Sequence, residues 1–245
     1  MRSVPPSQLG CLREGIALLR RHPALTLGLA LLAMLLGQLG PALELAAKAG
    51  SNQLSQVFFG FMGILPMQMY FLPRFQARLD AEVLNAPQNR LEGWTSTFDT
   101  RWLLAFGIWL LFVLGMLLIL PGIVLLAFFG WAPLRILLRG DSVMDAFRWS
   151  QAAMMRHWPR VVQVILAMVM VFLAYHMLST YALAHVLPNL NPEVGPDAWL
   201  RLRHPAFWVL GFTGGLLNLW LTTSLLALYH RLEAAPQASP ASSSK

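Results

Sequence analysis

Side chains able to do acid–base, metal or nucleophilic chemistry are sparse in this 245-residue chain: eleven Asp and Glu, six His and one Cys. A hydrolytic centre needs a nucleophile with a base in reach, or a metal held by His and carboxylates. No His-Glu-x-x-His pattern occurs. His176 and His185 are nine residues apart, about 900° of helical rotation, and so occupy opposite faces of one helix. Cys11 alone supplies neither a disulfide nor a multi-sulfur zinc site. Ser179, Thr180, Thr222, Thr223 and Ser224 offer hydroxyls, but in apolar helices these more often bond to their own helix or a neighbour. The expectation is a non-enzymatic chain with no catalytic residue, metal site or cofactor site. Polar groups within long apolar stretches are nevertheless costly and count as functional candidates. These are His176 and Asn218, each near the middle of its stretch, with Gln38, Gln68 and Gln163 elsewhere. His176 and Asn218 are expected to meet, because an interhelical hydrogen bond worth roughly 0.6 kcal/mol is enough to favour one register.

The elements that must carry these groups follow from composition. Residues of the A, V, I, L, M, F, W, Y, C set make up 57% of the chain and charged residues 12%, against about 45–50% apolar and about 25% charged in soluble domains. Six apolar runs stand out, at 24–43, 54–72, 102–120, 123–138, 161–187 and 205–229. A helix of about 20 residues crosses the roughly 30 Å hydrocarbon layer and satisfies its own backbone there. The predicted fold is an all-α integral membrane domain over residues 1–233, with six transmembrane helices arranged as three hairpins. The fourth run is short and carries Arg135, whereas the fifth exceeds the minimum and must tilt, kink or protrude. Pro121 and Gly122 form the turn between the third and fourth runs.

Lys and Arg are distributed unevenly. With the N-terminus inside, fifteen of eighteen fall in cytoplasmic segments, and only Lys48, Arg201 and Arg203 cross, beside Glu44, Glu193 and Asp197. Both termini are therefore expected in the cytoplasm. Arginines divided among several loops do not make the single basic stripe of a nucleic-acid binder. Ala47-Lys48-Ala49 resembles a cleavage site but follows an apolar run longer than the core of a cleavable signal, and Leu9-Gly10-Cys11 resembles a lipoprotein box with no apolar segment before it. Residues 234–245, mostly Ala, Pro and Ser, are expected to form a disordered cytoplasmic tail.

Two amphipathic interfacial helices are predicted on the cytoplasmic side, at about 7–22 and 142–158. The second begins at a Ser142-to-Asp145 capping box, with Val143, Met144, Phe147, Met154, Met155 and Trp158 at three- and four-residue steps. Arg148, Arg156 and Arg160 are the candidate contacts to anionic headgroups or to a partner, with Phe147, Met154 and Trp158 as anchors. Packing beneath its own bundle is the competing account of this helix. Offset by 136 residues, Ile16–Pro23 aligns with Ala152–Pro159, and each proline suggests a surface helix that bends into the bilayer. Duplication and chance both explain the match.

Leu120-Pro121-Gly122-Ile123, Pro133, Gly140, the Asp145-Ala146-Phe147-Arg148-Trp149-Ser150 segment and Trp158 carry a resemblance. Over about forty residues, Leu120 to Arg160, the chain resembles bacterial six-span inner-membrane proteins related to the membrane domain accompanying some glycerophosphodiester phosphodiesterases. The resemblance implies a multi-pass inner-membrane protein and no catalytic residue, since the phosphodiester chemistry of the fused relatives belongs to a separate soluble domain. The expected role is that of a membrane-embedded scaffold, partner-binding or envelope-maintenance component. Its partners would be the bilayer and a membrane protein or second copy of the chain. The rival is a small-solute or lipid-handling transporter, with the Gly60–Gly63, Pro66 and Gly211–Gly215 segments as broken-helix candidates. Those glycines equally suit close helix packing.

Overall fold

The computed structural model describes residues 10–49, 52–84, 100–116, 128–187 and 196–234. All regular structure among them is helical: α1 (Gly10–Arg21), α2 (Pro23–Ala46), α3 (Gln53–Pro66), a π-helical turn (Met67–Phe71), α4 (Leu72–Val83), α5 (Thr100–Met116), α6 (Ala132–Arg139), α7 (Val143–Val186), α8 (Ala198–Arg203) and α9 (Pro205–Ala234). Local chemistry explains most of the boundaries. Asn52, Ser142 and Asp197 cap α3, α7 and α8, each side chain accepting from the backbone N–H three residues on. Pro23 opens α2, where its missing N–H costs nothing. Gly140 ends α6 in the left-handed region at φ 70°, which glycine adopts without strain.

Four helices are long and apolar enough to cross a membrane: α2, the continuous Gln53–Val83 unit, α7 and α9. The second predicted run is therefore part of a 31-residue helix that extends past Leu72. Of the third and fourth runs, residues 117–127, including the Pro121–Gly122 turn, lie outside the described set, as do the 7–9 stretch of the first interfacial helix and the tail from 235.

Contacts divide the bundle into two ends. Arg231 pairs with Glu14, His22 Nε2 lies 2.6 Å from Glu82, and Arg139 joins Asp80 to Glu233, so α1, α4, α6 and α9 meet at one arginine-rich end. α2 leaves that end at His22, and its 24 residues extend about 36 Å. At its far end Glu44, 1% exposed, pairs with Arg201 and accepts from Ser55 Oγ at 3.1 Å. Glu44 and Arg201 thus share an end, as the charge count predicts.

The core gathers on the second half of α9, where Leu219, Leu226, Leu228 and Tyr229 are fully buried against α1, α4, α6 and α7. α1 is a separate helix and lies against α9, with Gly15 seated on Ser224. Trp220 Nε1 donates to the Leu12 carbonyl at 3.0 Å. Cys11 is completely buried there, and burial raises its thiol pKa. A protonated, covered thiol is a poor nucleophile. Cys11 is expected to resist N-ethylmaleimide in the folded protein and to react once the chain is unfolded in SDS, a contrast read by mass spectrometry.

α7 corrects two expectations. The predicted surface helix (142–158) and fifth span (161–187) are one 44-residue helix, with Pro159 inside it. A mid-helix proline costs about 3 kcal/mol, but Met154 on one side and Val161 and Val164 on the other are buried in the same core, and the helix continues through Pro159. Pro23 separates two helices and Pro159 does not, so the two aligned segments differ in conformation. The second correction concerns the covered face. Its buried residues Ala146, Ser150 and Met154 follow a four-residue step, whereas Met144, Met155 and Trp158 are exposed. Close approach of α6 selects small side chains at Ala146 and Ser150, and a count of large apolar residues is blind to them.

Candidate functional site

At the arginine-rich end, Arg139 grips two carboxylates in a forked arrangement. Its Nη1 and Nη2 donate to Asp80 at 2.7 and 3.1 Å, while Nε and Nη2 donate to Glu233 at 2.9 and 2.6 Å. Arg135 adds Asp141 and Glu233, both at 2.5 Å, and lies 5.0 Å over the Trp149 ring. His230 Nε2 stands 3.1 Å from Asp80, and Tyr229 donates to Glu233 at 3.2 Å. The hydrogen bond to Glu233 is the largest influence holding the Arg139 pKa above its ordinary value. α4, α6 and α9 are thereby fastened together by planar, bidentate pairs, the strong form of the ionic hydrogen bond. The carboxylates already accept the donors that reach them, so the cluster acts as a clamp.

The predicted contact residues separate into two groups. Arg148, Arg156, Arg160 and Trp158 are exposed along α7. Phe147 and Met154 face inward: Phe147 meets Phe129 edge to face at 5.0 Å, and Met154 Sδ receives Trp131 Nε1–H at 3.2 Å. Ser150, from the resembling segment, donates to the Phe128 carbonyl at 2.9 Å and accepts from the Trp131 N–H at 3.3 Å. That motif therefore seats the start of α6 on α7.

His176 and Asn218 are not joined. His176 is exposed on α7, touching Phe172 edge to face at 4.3 Å, while Asn218 is half-buried on α9. The polar contact between these helices comes from Tyr175, whose hydroxyl donates to the Leu210 carbonyl at 2.8 Å and lies 2.9 Å from Thr213 Oγ1. Tyr175 precedes His176 by one position, a rotation of about 100°, so the imidazole is turned off the bundle. The only sequence signal for this was a tyrosine next to the histidine.

One turn deeper than the clamp lies a cavity of about 220 Å³ bounded by the π-turn, α4, α5, α6 and α9. Leu72, Phe106, Leu134, Leu137 and Leu225 supply apolar wall, and Gln68, Gln76 and Thr222 supply polar groups. Eight α-helical residues rotate about 800°, which would leave Gln68 and Gln76 about 80° apart. The π-turn at Met67–Phe71, between Pro66 and Pro73, widens one turn and reduces that offset, so both amides reach one space. Of the broken-helix candidates, Pro66 therefore coincides with irregular backbone. Gly63, Gly211 and Gly215 instead lie against α2.

Comparison of the chain with protein-family models, with curated proteins and with solved structures finds no match. What the structure defines is a class: an all-helical protein with four helices able to cross a membrane.

Proposed function

We propose that the chain is a six-span, multi-pass protein of the bacterial inner membrane with both termini in the cytoplasm. It acts without catalysis, as a membrane-embedded scaffold or envelope-maintenance component, by binding a membrane protein or a second copy of itself. One observation carries this reading. α7 is 44 residues long, and past Met168 its flank is exposed at Phe172, Leu173, Met177 and Leu178, with His176 among them and no hydrogen bond to its imidazole. Ionisable side chains in membrane spans almost always face protein or a water-filled space, because acyl chains cannot solvate them. A protein surface over this flank removes that cost. The exposed Arg148, Arg156 and Arg160 supply the charge that anionic headgroups attract at the cytoplasmic face. The resemblance to the membrane domain of glycerophosphodiester phosphodiesterases belongs to the same reading.

A photo-crosslinking amino acid at Leu173, beside His176, tests this in native membranes. Discrete protein adducts are expected, and substituting His176→Leu should reduce them several-fold. Adducts to lipid alone would overturn the reading.

A further inference from the structure

We infer that the cavity beneath the ionic clamp binds an uncharged amphiphile, a hydroxyl- or carbonyl-bearing head carried on hydrocarbon. Space is sufficient: a cavity of about 150 Å³ accommodates benzene, and this one measures about 220 Å³. Its wall is mainly apolar, which suits hydrocarbon, and none of its lining residues is ionisable. The nearby charges are paired with one another, Arg139 with Asp80 and Glu233. A charged guest would lose its hydration without gaining a counter-charge, a cost far above that of a neutral one.

The polar groups specify the head. Gln68, Gln76 and Thr222 line the space, and none of the three makes a hydrogen bond. Thr222 is 8% exposed, and the surface it keeps belongs to a residue that lines the cavity. Its neighbour Thr223 behaves conventionally, donating to the Leu219 carbonyl at 3.0 Å and lying in reach of the Gly15 and Trp220 carbonyls. Gln68 and Gln76 are half-buried and Thr222 is buried, so a guest that displaces water from them must offer hydrogen bonds in return, or leave groups whose desolvation costs about 1–3 kcal/mol each. Two primary amides and a hydroxyl both donate and accept, so an alcohol or carbonyl oxygen satisfies them while its chain packs on Leu134, Leu137 and Leu225. Pockets that combine an apolar wall with a few convergent polar groups are the usual form of a small-molecule site. The π-turn points the same way, since such turns interrupt α-helices frequently at functional positions. This inference is independent of the α7 flank and holds whether the guest is retained or passed on.

The test is photolabelling of the purified full-length chain with a diazirine-bearing octanol, followed by peptide mass spectrometry. Adducts are expected on residues 68–76, 134–137 or 222–225, displaced by excess octanol but not by octanoate or octylammonium. Thr222→Val and Gln76→Leu should each lower cavity labelling several-fold, and Ala105→Leu should abolish it by filling the space. Protection of Cys11 from maleimide reports that each variant is folded. The proposal would be overturned by labelling confined to the exposed flank of α7, by equal displacement by the charged analogues, or by cavity labelling unchanged in folded Thr222→Val. Absence of any cavity adduct, as expected if water alone fills the space, would also overturn it.

Discussion

Substituting Arg139→Met should destabilise the protein by about 3–5 kcal/mol, the usual cost of deleting one partner from a buried ion pair. The loss comes less from the forfeited attraction than from what is left behind. The Asp80 side chain is 7% exposed and that of Glu233 25%, so Asp80 keeps a desolvated charge with only His230 nearby. Glu233 retains Arg135 at 2.5 Å and suffers less. Arg139→Lys should fall between the parent and Arg139→Met, because an ammonium keeps the charge but cannot fork across two carboxylates. Adding Asp80→Leu to Arg139→Met should recover most of the loss by removing the stranded charge. Thermal unfolding in detergent, read from the temperature at which Cys11 becomes reactive, measures all three. An Arg139→Met midpoint equal to the parent's would show that the clamp contributes nothing to stability.

Gly63→Ala should be the next most damaging substitution, and Gly40→Ala should resemble it. A Cβ on Gly40 would stand 2.6 Å from the Phe59 carbonyl oxygen, and one on Gly63 would press on the Leu36 carbonyl more closely than real side chains allow. Both obstacles are backbone, so no rotamer change relieves them, and α2 and α3 must separate. Overpacking of this kind typically costs about 1–3 kcal/mol. Gly60 and Gly37 provide the internal control, since a Cβ at either meets nothing within 4 Å. Alanine there should be neutral or stabilising by up to about 1 kcal/mol, from helix propensity alone. The same unfolding assay should therefore separate Gly63 from Gly60, three positions away on the same helix. Equal midpoints for Gly63→Ala and Gly60→Ala would contradict the close contact.

The glycine pairs mark one limit of what a sequence can disclose. Gly60 and Gly63 belong to one apparent cluster of breakers and both lie beside α2, yet only at Gly63 would an added Cβ collide with it. α7 marks another. Its N-cap and its start were legible from Ser142, because a cap is a bond between near neighbours, although Asp145 accepts from the Ser142 hydroxyl at 2.6 Å and so does not complete the reciprocal box. Its covered face was not, because Ala146 and Ser150 are buried for being small, and smallness carries no hydrophobic signal.

What the chain itself determined were its helical character, several helix caps and the clustering of like-placed charges at its ends, since these depend on bonds within a turn and on the contrast between apolar and charged stretches. Only tertiary structure decided the Arg139 clamp, whose partners lie 59 and 94 residues away, the cavity with its three unpartnered polar groups, and the outward turn of His176. The physical reason is that a helix apolar on every side is equally at home against lipid or protein. Which face it presents to which neighbour is then set by close backbone contact and a few polar bonds between distant segments, and no local pattern records either.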